Sequence, residues 1–234
     1  VDNWMINSGR IRTLNNGNFS GGCVLYWMNR DKRVNDNWAL ITAQDIALKN
    51  RVPLVVCFQY IGRFRNGNIR QYGFLFRGLE ELRIKLEKLN IEFLLLQHKA
   101  HKILPKIIKE KSIGTLVTDY SPLRIYRNRI EKVLKHIQIP VLQVDAHNIV
   151  PVWITSDKKE YSAYTIRGKI HSYLDQYLTN IPNIKYHPYG KVKKNQRKYN
   201  QIIDNLNIDF SVKEVDWINP GEKAAKEKLD SLTS

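Results

Sequence analysis

The chain has 234 residues, 43% of them hydrophobic, which suits one domain of ordinary to large size or one domain with a substantial tail. Its 38 Lys and Arg against 22 Asp and Glu give a formal net charge of +16, a field that attracts polyanions, nucleic acid first and an anionic membrane second. No stretch approaches the roughly 20 apolar residues of a membrane span and no basic-then-apolar signal opens the chain, so the expectation is an intracellular protein, cytoplasmic in a prokaryote or nuclear in a eukaryote, with no membrane partner.

Residues 1–22 are polar and carry Gly9, Gly17, Gly21 and Gly22, which reads as a mobile arm to which Arg10 and Arg12 add charge. Cys23 to Met28 is almost continuously apolar, the pattern of a parallel strand covered on both faces. A polar loop, 29–36, leads to a helix carrying Trp38, Ile41, Ile46 and Leu48, and a second strand covers Pro53 to Phe58. Cys23 and Cys57 both lie in apolar runs and read as buried reduced thiols rather than a disulfide or a metal pair. After a connection over 59–71, a helix from about Tyr72 to Leu89 places Leu75, Leu79, Leu82, Leu86 and Leu89 on one stripe, the signature of a core-facing helix. A strand at 92–96, a helix at 101–111, a strand at 115–118, a helix from Pro122 to about Ile137 and a strand at 139–144 complete the pattern.

Short apolar strands alternating with amphipathic helices predict an α/β fold, a Rossmann-like doubly wound sheet of five parallel strands flanked by helices. In such a sheet a ligand sits beyond the carboxyl ends of the strands, where the winding reverses. That draws attention to three loops, which hold Met28, Asn29 and Arg30, then Phe58, Gln59 and Tyr60, then Asp119, Tyr120 and Ser121. Together they offer flat faces and a few polar groups, which a planar aromatic ligand needs. Asp119 and Ser121 have a second reading, as caps of the helix beginning near Pro122.

Sequence motifs for chemistry are sparse. No GxGxxG follows the first strand and no GxxxxGK[ST] or GxSxG occurs, which disfavours ordinary dinucleotide, P-loop and serine-nucleophile sites. His98 and His101 have a spacing a metal could use, but no Cys, Asp or Glu cluster joins them, so neither a metal site nor a catalytic set is assigned.

Beyond Val144 the chain turns through Asp145, His147 and Asn148 into a second extended piece, 149–154. A helix over 161–178 is predicted from the recurrence of Tyr161, Tyr164, Ile170, Tyr173 and Leu174, with Ser156 or Asp157 as its cap. Residues 179–219 are basic and irregular. Within them Lys191, Lys193, Lys194, Arg197 and Lys198 are interleaved with tyrosines, which suits either a DNA contact or a solvated connection. A last helix starts at Pro220 and Glu222.

Six ordered stretches resemble one family. VLYWMNRDKRVNDNWALITAQDIAL from Val24, PLVVCF from Pro53, IRQYGFLFRGLEEL from Ile69, GTLVTDYSPLRI from Gly114, the run VDAHNIVPVW with SDKKEY and AYTIRGKI from Val144, and VDWINPGEKAAKEKL from Val215 are similar to class II cyclobutane pyrimidine dimer photolyases, with Gly168 a departure from the family's pattern. The resemblance implies strand order 3-2-1-4-5 and an antenna domain over 23–178. It further implies an interdomain linker over 179–219 and, from 220 to 234, the start of a helical FAD-binding domain whose remainder lies outside this chain. It implies a chromophore, 8-hydroxydeazaflavin or methenyltetrahydrofolate, stacked on Phe58 or Tyr60 with Asp119 accepting a hydrogen bond. It implies deoxyribodipyrimidine photo-lyase activity on dimer-containing DNA, driven by blue light through reduced FAD, so that this chain alone is expected to be an inactive monomer. The alternative is a stand-alone, non-catalytic α/β cofactor-binding or DNA-associated accessory module, against which the terminal helix counts.

Overall fold

A computed structural model describes residues 6–19, 21–62, 67–192 and 199–233. Its sheet has six strands, β1 (Ile11–Thr13), β2 (Cys23–Met28), β3 (Leu54–Tyr60), β4 (Glu92–Gln97), β5 (Ile113–Asp119) and β6 (Val141–Val144), in the order β1-β6-β5-β2-β3-β4. The five expected strands are all parallel and follow the implied order, the winding of the sheet reversing between β2 and β5. Every residue of β2, β3 and β5 is buried, which is why β2 and the first five residues of β3 read as apolar runs, while β5 buries Thr115, Thr118 and Asp119 among its apolar residues.

Alternation within the strands feeds two cores. Val24, Tyr26 and Met28 join one side with α1 (Trp38–Asn50) and α2 (Ile69–Lys88), while Cys23, Leu25 and Trp27 join the other with α3 (Ala100–Glu110) and α4 (Arg124–Leu134). Asn37 starts α1 by accepting from Leu40 N at 3.0 Å, and Asn68 with Gln71 forms a capping box at the head of α2. On α2, Leu79, Leu82 and Leu86 are buried and Leu75 and Leu89 pack beside them, as the leucine stripe predicts. Both cysteines are free and buried, and burial pushes the Cys23 thiol up to about 12. No helix among the described residues is long and apolar enough to cross a membrane.

Four expectations need correction. Residues 8–13 are not a loose arm. A short 3-10 turn, Ser8–Arg10, enters β1, which pairs antiparallel with β6, and the Arg10 guanidinium is buried. It donates to the carbonyls of Asp145 at 3.3 Å, Asn148 at 2.8 Å, Ile149 at 2.6 Å and Tyr177 at 3.0 Å, and lies over the rings of Trp38 and Tyr177. The piece at 149–154 is not a strand, because Asp145 accepts from the Val152 N–H at 2.9 Å and the chain closes into one helical turn, α5 (Val152–Thr155).

The helix expected over 161–178 is two, α6 (Ala163–His171) and α7 (Leu174–Tyr177), and its cap is Ser162, which accepts from Thr165 N at 3.3 Å. Tyr161 and Tyr164 are 90% and 87% exposed, so their spacing does not mark a core stripe. Glu160 ties this segment together by accepting from Ser156 Oγ at 2.7 Å and Lys169 Nζ at 2.6 Å. Lys169 and Ser156 hold the Glu160 carboxyl down to about 2. A depressed carboxyl contributes stability above its ordinary value near 4.5 and loses that contribution as pH falls through about 2. Glu160→Gln is therefore expected to loosen α6 at neutral pH and to match the parent at pH 2, read as amide exchange over Ala163–His171; identical exchange at neutral pH would refute the coupling.

The segment after α7 is not a solvated connection where it is described. Lys185 exchanges hydrogen bonds with the Gln44 side chain at 2.9 and 2.7 Å, and buried His187 donates its N–H to Leu89 O at 2.8 Å. Then α8 (Tyr199–Asp204) packs on α2, burying Tyr199, Ile203 and Leu206 in the α1–α2 core. The final helix, α9 (Glu222–Thr233), starts as expected. Its first residue, Glu222, accepts from Val34 N and Asn35 N at 3.1 Å each.

Candidate ligand site at the switch point

The polypeptide leaves β2 through a turn that a buried carboxylate holds. Asp119, the last residue of β5, accepts from the Asn29 N–H at 2.8 Å, the Arg30 N–H at 2.7 Å and the Tyr26 hydroxyl. Burial pushes the Asp119 carboxyl up while these three donors oppose the rise. The same burial, with Asp119 beside it, raises Tyr26 well above the ordinary phenol range. Asn29 is fixed further by donating to Thr118 Oγ1 at 2.8 Å and Trp27 O at 3.2 Å. Asn37 locks the far side of the turn by donating to Asp31 O at 3.1 Å and Arg33 O at 3.0 Å. The loop after β2 is thus held in place before any ligand arrives.

Beside it, at the carboxyl ends of β2 and β3, lies a cavity of about 420 Å³. Phe58, Tyr60, Tyr72 and Tyr126 give it aromatic walls, with Leu75 from α2 among them. Gln59 supplies a polar edge. Its Nε2 donates to Tyr60 O at 3.0 Å and to His98 O, and its Oε1 is buried without a hydrogen-bond partner among the described residues. A buried acceptor of this kind is costly unless a donor reaches it. Two cations reach the rim, Lys32 with its Nζ 5.5 Å from the centre of the Phe58 ring, and Arg129 lying 5.1 Å from that of Tyr126. Burial lowers the pKa of both. Flat walls, an acceptor in need of a donor and a positive rim fit a planar aromatic molecule that carries N–H or O–H groups and negative charge.

Of the residues expected here, Asn29, Phe58, Gln59 and Tyr60 line this cavity. Met28 is fully buried in the core, and Arg30 takes part through its backbone. Asp119 lies behind the turn with both oxygens engaged, so a direct ligand hydrogen bond is replaced by support of the loop. Tyr120 turns the other way, edge-on to Trp153 at 5.6 Å with Arg12 over its ring. Ser121 accepts weakly from Leu123 N at 3.4 Å, and neither it nor Asp119 caps α4, whose cap residue Leu123 has no side-chain bond. Lys32, Tyr72, Leu75, Tyr126 and Arg129 were missed because they come from a turn and from helices α2 and α4. The one usable signal was the i, i+3 spacing of Tyr126 and Arg129 directly after the switch strand.

Of the five candidate DNA contacts, Lys191 is exposed, and Lys193, Lys194, Arg197 and Lys198 lie outside the described residues. His101 has His136 as its aromatic neighbour, with ring centres 5.8 Å apart.

The fold and cavity together define a doubly wound α/β domain with an aromatic-walled opening at its switch point. The family model for DNA photolyase matches residues 24–187, and the chain belongs to that family. It is 45% identical over 211 residues to a deoxyribodipyrimidine photo-lyase of Potorous tridactylus, covering 89% of this chain and 40% of the relative. A deoxyribodipyrimidine photo-lyase of Arabidopsis thaliana is 39% identical over 235 residues, covering 96% of this chain and 47% of its own. The chain thus spans less than half the length of these curated relatives. A bacterial class III photolyase from Agrobacterium tumefaciens, 21% identical, superposes with a TM-score of 0.63 over 90% of this chain and 44% of that one, a likeness of fold.

Proposed function

We propose that this chain is the chromophore-holding, antenna part of a class II deoxyribodipyrimidine photolyase, a protein that repairs cyclobutane pyrimidine dimers in DNA under blue light. The observation that carries the reading is the aromatic-walled cavity at the switch point, with the unsatisfied Gln59 Oε1 and the cationic rim of Lys32 and Arg129. An antenna pigment absorbs light and passes on the excitation. The protein's task is to stack the ring on Phe58 and Tyr60, orient it through Gln59, and hold it in a site fixed by Asn29 and the Asp119-bound turn. A deazaflavin or folate ring meets these demands, since either is flat and carries donors and negative charge. Splitting of the dimer requires electron transfer from reduced FAD, and no residue of this chain is given a role in it.

The test is a titration of the chain with 8-hydroxydeazaflavin and with methenyltetrahydrofolate, followed by their absorption. One of them is expected to bind, with Phe58→Ala and Gln59→Ala each weakening it by about tenfold, the equivalent of roughly 1.4 kcal/mol. Unchanged affinity in both variants would place the pigment elsewhere.

A further inference from the structure

We propose that the face formed by α3 and α4 docks the phosphate backbone of duplex DNA, through Lys99, Lys102 and Lys132 gathered around the His101–His136 pair and Lys106 further along α3. This surface is distinct from the cavity and its occupancy does not depend on any chromophore; it rests on the family's link to DNA only for the choice of polyanion.

On α3, Lys99, Lys102 and Lys106 recur at i, i+3 and i+7 and are all exposed, while Leu104 on the opposite side is buried in the core. Lys132 of α4 and His136 just beyond it come alongside the first turn of α3, where the two imidazoles lie 5.8 Å apart. Burial, then His136, and then Lys132, Lys102 and Lys99 depress the His101 pKa.

An ordinary solvated face looks different, as α2 shows. There Arg83 pairs with Glu80 at 2.6 Å and Glu87 at 2.5 Å, and Lys85 with Glu81 at 2.8 Å. Among the described residues none of the four lysines has such a partner; the pairing nearest α3 is made by Lys111, with Glu92. On α3, Lys99 and Lys102 also stand at the N-terminal end of the helix. No acidic residue lies in the first turn of α3, so these two lysines meet the positive pole of the helix dipole, whereas Lys132 stands in the last turn of α4, where the dipole favours a cation.

The geometry suits a phosphate backbone. Seven residues along α3 advance about 10 Å, close to three nucleotide steps of one DNA strand. A lipid surface fits less well, because interfacial helices insert an apolar side and that of α3 is turned into the core.

Binding of the chain to a short undamaged duplex, measured by fluorescence anisotropy between about 50 and 200 mM salt, tests this. The parent is expected to bind, and the quadruple variant K99Q/K102Q/K106Q/K132Q to lower the slope of log K against log salt by about 3 to 4, near 0.9 per lost phosphate contact. A charge-matched control, K158Q/K159Q/K226Q/K228Q, is expected to lower it by less than about 1. All eight positions are exposed, so the fold should persist in both variants, with circular dichroism as the check. Equal slopes in the two variants would reduce the effect to diffuse charge and overturn the proposal, as would a parent that does not bind. Loss of binding to phosphatidylserine vesicles in the first variant with DNA affinity intact would assign the face to a membrane and overturn it equally.

Discussion

Replacing Arg10 by alanine is expected to destabilise the chain by about 3–5 kcal/mol, the range seen when one member of a buried charged network is removed. The guanidinium is 2% exposed and serves four carbonyls, three in the stretch from Asp145 to Ile149 and one at Tyr177. Alanine would leave all four without that donor in an interior that also loses the cation between Trp38 and Tyr177. Burial pulls the Arg10 pKa down and Asp145 opposes it, so the charge is retained because the carbonyls and that carboxylate surround it. Arg10→Lys should recover little, since one ammonium cannot reproduce a planar fork that reaches carbonyls of the loop after β6 and of the end of α7 at once. Urea unfolding measures the loss. A change under about 1 kcal/mol would mean that water satisfies the carbonyls and that Arg10 organises nothing.

Asp119→Ala should cost about 2–4 kcal/mol and also abolish detectable pigment binding, although Asp119 does not line the cavity. It removes the acceptor of two backbone N–H groups and of the Tyr26 hydroxyl, so the turn carrying Asn29 and Lys32 loses its fixed course. Asp119→Asn keeps one acceptor oxygen and should fall between. The decisive comparison sets stability beside affinity. Affinity lost at full stability would make Asp119 a direct ligand contact, whereas the geometry requires the two to fall together.

The parallel sheet was legible because β2, β3 and β5 are buried on both faces, so that β2 and most of β3 appear as apolar runs and β5 keeps an apolar centre around Leu116 and Val117. The strand β1 was not, since Ile11–Thr13 is three residues long, with Ile11 half-buried and the rest exposed; its pairing depends on β6, not on its own pattern. Arg10 looked like surface charge because nothing local marks a residue whose partners lie 135 to 167 positions away. The tract from Lys185 onward misled through its composition. Lys185 and Lys191 face water while Ile184, His187 and Tyr199 anchor it, and three buried residues among many basic ones give no period to read. At the cavity, the loop residues followed from the switch-point rule, but side chains arriving from α2 and α4 depend on how helices lie across a sheet, which spacing along the chain does not encode.

The dependence of β1 on distant carbonyls also sets an order of events during synthesis. At about 5–20 residues per second, roughly 10–30 s separate the emergence of Arg10 from that of Tyr177, 167 residues later. The strands β2 to β5 can pair within that interval, each by contacts with chain already made. The N-terminal segment cannot, so on the ribosome it must wait, solvated and charged, and dock last as the clasp that closes an already assembled sheet.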